Sequence, residues 1–227
     1  MASLLETDPL SAIILLLVGV VSIILALLLL KEYIVSKKPY HLAWAISFLV
    51  LFVSGVLIIF LGWEETLENP LVPPIAALIP VGLAIGLIFA VWPNTKYGLY
   101  YALYAIIVIG ILAIVRVVGG DLSGFSSPLI MGIHIPSGLI ISFLPLYTSF
   151  ISKYTDWTGV FFGIGGLLIS FGGVLLAFAT VPGITAILPL TDILVILPIL
   201  LLIVGVFFLL GIGLPKKWSV PIPFLNT

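Results

Sequence analysis

The chain has 227 residues, 63% of them hydrophobic and 7% charged, with a net charge of −1. A soluble domain carries about 25% charged residues, so this chain has too few to cover a water-facing surface. Soluble, disordered, collagen-like and nucleic-acid-binding classes are therefore excluded. The absence of cysteine also removes disulfide scaffolds, thiolate metal centres, iron–sulfur clusters and thiol catalysis.

A membrane-spanning helix needs about 20 apolar residues, and seven runs qualify. The first, Leu10–Leu30, follows a start that carries Glu6 and Asp8. A signal peptide opens on a basic segment, so this run is expected to remain as a permanent helix. The second is Leu42–Trp63. The third, Pro73–Trp92, carries Gly82, Gly86 and Ala90 at four-residue steps. The fourth, Gly98–Val118, opens on tyrosines at helical spacing, Tyr97, Tyr100, Tyr101 and Tyr104, and contains Arg116. The tyrosines suit an interfacial belt or a platform for a quinone, lipid or haem edge.

The fifth run, Pro128–Ile151, contains Pro136 and Pro145 with Gly132 and Gly138. A proline inside a helix removes a donor and frees the carbonyl four residues earlier. Gly132 and Ile141 are the acceptors released, and this span is expected to bend most. The sixth, Trp157–Thr180, carries a stripe of small residues: Gly159, Gly163, Gly166, Ser170, Gly173 and Ala177. Small residues on one face let two helix backbones approach closely in lipid. The face serves either packing within the bundle or contact with another subunit. The seventh run is Thr191–Leu214, with Pro198 inside it.

Strands of a membrane barrel alternate polar and apolar residues. These runs are apolar on every face, so the expected fold is all-α, a seven-transmembrane-helix bundle. Residues 1–227 read as a single integral membrane domain. What lies between the runs is too short for a soluble domain.

Basic residues set the direction, since they concentrate on the cytoplasmic side. Lys31, Lys37, Lys38, Lys96, Lys153, Lys216 and Lys217 fall on one side, and Arg116 alone on the other. The acids Glu6, Asp8, Glu64, Glu65, Glu68, Asp121 and Asp192 fall opposite the lysines, while Glu32 and Asp156 join them. The expected orientation is N-terminus outside and C-terminus cytoplasmic, in a multi-pass protein of the cell membrane. The scarcity of Met and Gln, with no Cys, resembles the composition of proteins from hot-living sources.

Ionisable residues inside a membrane are functional candidates, and here they are few. Arg116 lies about half a turn from the outer surface, and His134 about 9 Å into the membrane from the same side, at 1.5 Å per helical residue. With Ser137 and Asp121 they form a candidate outer polar cluster, able to make a pH-responsive or ligand-binding pocket. The structural alternative pairs Arg116 with headgroups or an acid, and His134 with a carbonyl or serine. His41 lies at the inner end of the second span, roughly 20 Å from His134 along the membrane normal. A two-histidine haem or metal site is thereby excluded, and a haem on a single histidine is the only prosthetic group left open.

A retinal pigment would need a lysine in the last span, and Thr191–Leu214 has none. Proton pumps and ion-coupled carriers use buried carboxylates, absent from every span core. No catalytic residue and no cofactor is implied. Two functions remain. One is a non-catalytic anchor or scaffold, an accessory subunit within a larger membrane complex such as an electron-transfer assembly, with the bilayer and other membrane subunits as partners. The other is a transporter or channel for a small apolar or weakly polar solute, with its site near the fifth span.

Overall fold

A computed structural model describes residues 9–119, 124–150, 158–178 and 190–213, and all its regular elements are helices. They are α1 (Pro9–Ser36), α2 (Pro39–Glu68), α3 (Val72–Ala76), α4 (Leu78–Val91), α5 (Tyr97–Val118), α6 (Ser126–Phe150), α7 (Thr158–Phe178) and α8 (Leu190–Gly213). The short α3 and α4 follow each other across Ala77 and make one pass. Among the described residues, seven segments are thus long and apolar enough to cross a membrane.

The helices overrun the apolar windows where charges begin. α1 continues past Lys31 and Glu32 to Ser36, and only Lys37 and Lys38 separate it from α2. Apolarity marks where lipid would begin, whereas backbone hydrogen bonds continue until a breaker intervenes. Here the breakers are Lys37, with φ 55, and Pro39 at the first turn of α2.

Neighbouring passes run antiparallel. One end of the bundle gathers Lys31, Lys37, Lys38 and Lys96, and the other gathers Glu64, Glu65, Glu68 and Arg116. We call these the lysine end and the acidic end. α1, α2, α4, α6, α7 and α8 pack in a closed ring in that order, with α5 outside against α4 and α6. Burial agrees: 61% of the apolar window of the α3–α4 pass is buried, but only 17% of that of α5.

Small residues set the helix separations. A Cβ on Gly166 would stand 2.7 Å from the carbonyl oxygen of Ile141, and one on Gly163 2.9 Å from that of Ser142. Gly138 of α6 meets Ser170 of α7 in the same way. The small-residue stripe of α7 therefore lies on α6 within the chain. Gly165 and Gly172, off the stripe, face Phe208 and Leu200 of α8. Gly159 is buried. In α4, Gly82 lies on Ser47 and Gly86 beneath the Trp44 indole, both of α2. Such contacts supply the dispersion energy that holds helices together where lipid is as apolar as the side chains.

The lysine half is filled by aromatic rings. Phe162 of α7 and Phe208 of α8 have centroids 4.9 Å apart, Trp44 stands 5.8 Å from Phe162, and Phe48 6.1 Å from Phe208. All four are buried, and Leu83, Leu87, Leu25 and Leu29 close around them. Trp44 donates from Nε1 to the Leu83 carbonyl at 3.1 Å, which satisfies its one polar atom. This plug occupies the ring's interior at one end only.

Candidate functional site

At the acidic end the interior is open. A cavity of about 460 Å³ lies there, partly open to the outside, with mostly apolar walls. It takes residues from every pass. Leu15 and Val18 come from the start of α1, Leu51, Ser54, Gly55 and Ile58 from the second half of α2, and Ile79 and Pro80 from the start of α4. Ile130 and His134 come from the start of α6, Ile169, Ser170 and Gly173 from the latter part of α7, and Leu197 and Leu201 from the start of α8. α5 contributes Arg116, near its end. The plug forms the floor, since Phe48 lies one turn below Leu51, and Val204, in the plug's cluster, one turn below Leu201.

The rim is built around a break in the helical backbone. Gly62 interrupts α2 with φ 81 and ψ 169, a conformation open essentially to glycine alone. The chain turns there, and Trp63, Thr66, Leu67 and Glu68 line the cavity beyond the break. The connection is fixed by the Asn69 side chain, whose Oδ1 accepts from the Leu71 amide at 2.9 Å. Beyond it Val72, Pro73 and Ala76 of α3 line the cavity, and the chain stays helical through Ala77, whose amide reaches the Pro73 carbonyl at 3.0 Å, into α4.

The polar groups of this cavity are few. Arg116 reaches from α5 and donates from Nη2 to the Leu67 carbonyl at 2.6 Å. Its Nε is buried without an acceptor, and no carboxylate among the described residues pairs with it. Thr66, 2% exposed, likewise has no partner for its hydroxyl. His134 holds the Ile130 carbonyl through Nδ1 at 3.0 Å. Its ring fits against Gly173, where a Cβ would stand 2.7 Å from Cδ2. Ser170 is occupied with the Gly166 carbonyl at 2.6 Å.

Of the polar cluster expected from sequence, Arg116 and His134 line one cavity. Ser137 does not: it is fully buried, and its hydroxyl pairs with Tyr101 of α5 at 2.7 Å. The i, i+3 spacing places Ser137 near His134 on a helix, but α5 covers that part of α6. Asp121 lies outside the described residues. The tyrosine row divides. Tyr101 and Tyr104 clamp α5 to α6, with Tyr104 donating to the Gly132 carbonyl at 2.6 Å. Tyr97 and Tyr100 are more than half exposed.

Thr66, Leu67 and the break at Gly62 were not singled out by the sequence. The usable signal was the run Gly62-Trp63-Glu64-Glu65, a glycine where apolar spacing gives way to charge. His41 stands at the lysine end, bonded to Ser36 at 2.9 Å, and has no part in the cavity. Among the described residues no group of three His, Cys, Asp or Glu side chains could hold a metal ion.

Fold and site together define a seven-pass helical bundle with a blind apolar cavity opening at one end. The chain matches no family model, and no curated protein and no solved structure resembles it beyond chance.

Proposed function

We propose that this protein is a cell-membrane carrier that takes a small, mainly apolar solute from outside into the cavity at its acidic end. The observation that supports this most is the cavity: about 460 Å³, lined by all seven passes, within the range of small-molecule sites. The lysines at the opposite end support a cytoplasmic placement of that end and an external acidic end, by the bias of basic residues toward the cytoplasm. The Trp44–Phe48–Phe162–Phe208 plug argues against an open channel and for a carrier open to one side. The break at Gly62 is of the kind that builds solute sites in transporters.

A scaffold or anchor needs close-packed helices but no cavity, so that reading comes second. Uptake into proteoliposomes separates the two. A carrier moves labelled decanol or a similar neutral solute faster than protein-free vesicles do. Gly55→Leu abolishes the difference, because Gly55 lines the cavity and a Cβ there would meet only the Leu15 carbonyl at 3.9 Å. The added Cβ therefore needs no helix to move, and the rest of the side chain extends from a position on the cavity wall. An inert protein that isolates with other membrane subunits at fixed stoichiometry would favour the anchor and sink the carrier.

A further inference from the structure

We infer that the solute is a single-chain amphiphile with an anionic carboxylate or phosphate head, and that Arg116 binds that head at the cavity rim. The inference rests on the carrier reading and names its substrate class.

A guanidinium is charged at every physiological pH and presents five N–H donors. An unpaired charge beside apolar walls is costly, so a built site supplies a counter-charge. The described part of this chain supplies none. One Arg116 donor goes to the Leu67 carbonyl, and the buried Nε faces no acceptor. Glu68 also borders the cavity, but its side chain is exposed and makes no ion pair with Arg116.

Thr66 lines the same cavity, but its hydroxyl and the Arg116 Nε are both covered, so neither meets a solute directly. The outer Nη1 of Arg116 is not covered, and a carboxylate or phosphate oxygen can accept from it in the short charge-assisted geometry that guanidinium groups favour.

The rest of the cavity fits a hydrocarbon chain. Leu15, Val18, Leu51, Ile169 and Leu201 line it between rim and plug. A cavity of about 460 Å³ is of the size that holds one small ligand, which suits a single chain better than the two of a phospholipid.

The test is equilibrium binding to the full chain in phosphatidylcholine nanodiscs, corrected with empty discs, using labelled dodecanoate, dodecyl phosphate and dodecanol. The three share a tail and differ in head. Dodecanoate and dodecyl phosphate bind roughly ten- to a hundredfold more tightly than dodecanol, the range of a hydrogen bond to a charged group. Arg116→Gln brings both anions to the level of dodecanol and leaves dodecanol unchanged, whereas Arg116→Lys keeps part of the preference.

Equal binding of all three by the wild type overturns the anion site and leaves the carrier reading intact. No binding of any overturns both. Displacement of dodecanoate by phosphatidylglycerol at a few molecules per disc overturns the single-chain assignment in favour of a lipid headgroup. The wild-type comparison decides even where Arg116→Gln fails to fold.

Discussion

The hydroxyl of Tyr104 stands 2.6 Å from the carbonyl oxygen of Gly132, the acceptor that Pro136 leaves without its helical amide. One proline and one tyrosine on neighbouring helices thus solve the problem the proline creates. α6 runs unbroken from Ser126 to Phe150 through both of its prolines. The other freed carbonyl, of Ile141, is covered by the backbone of Gly166.

Tyr104→Phe removes the donor and leaves the carbonyl exposed to an apolar surrounding. It should lower stability by about 1 kcal/mol, within the range for polar contacts between membrane helices. Tyr100→Phe, one turn earlier and 60% exposed, should change nothing. Unfolding of both variants in mixed micelles reads the difference. A neutral Tyr104→Phe would mean that the Gly132 carbonyl needs no donor.

Gly62→Ala tests the rim. No atom lies within 4 Å of the Cβ it adds, so any cost comes from the backbone at φ 81, about 1–3 kcal/mol for a residue other than glycine. The helix should straighten there and carry Thr66 and Leu67 away from Arg116. Solute affinity should fall several-fold while the bundle stays folded. Full stability with full affinity would show that the break does not shape the cavity.

Gly166→Ala tests the close packing of α6 on α7. The added Cβ would meet Ile141 Cγ2 at 2.6 Å and the Ile141 carbonyl at 2.7 Å, so the helices must separate, at a cost of about 1–3 kcal/mol. Gly110→Ala on α5, with open space around it, should be neutral or slightly stabilising, since alanine is the better helix former. Thermal unfolding of the two side by side reads the contrast, and equal behaviour would refute the packing argument.

Much of this architecture was legible because hydropathy is a one-dimensional signal. Seven apolar runs give seven passes, and the small-residue stripe from Gly163 to Gly173 reads directly as a close-packed face. Pro136 announces an unsatisfied Gly132 carbonyl, though not that Tyr104 would answer it. Helical spacing puts Ser137 beside His134, but it relates residues on one helix and says nothing of the neighbour, here Tyr101 of α5, that covers them. The cavity was illegible for a similar reason. Leu15, Leu51, Ile169 and Leu201 look like any lipid-facing or core leucine or isoleucine, and only the ring closure of six helices turns them into one wall. Nor does composition separate the half filled by Trp44, Phe48, Phe162 and Phe208 from the half left open.

The most direct test of the blind cavity uses the chain's lack of cysteine. Ser54→Cys places a thiol on the cavity wall, and Ser142→Cys places one in the packed interior, where Ser142 is 1% exposed. Glu65→Cys and Lys37→Cys mark the acidic and lysine ends. With a small, membrane-impermeant maleimide applied to each side of sealed vesicles, Ser54→Cys should label only from the side that labels Glu65→Cys, and Ser142→Cys from neither. Labelling of Ser54→Cys from the Lys37→Cys side, or no labelling from either, would contradict a cavity open at the acidic end and closed by the aromatic plug.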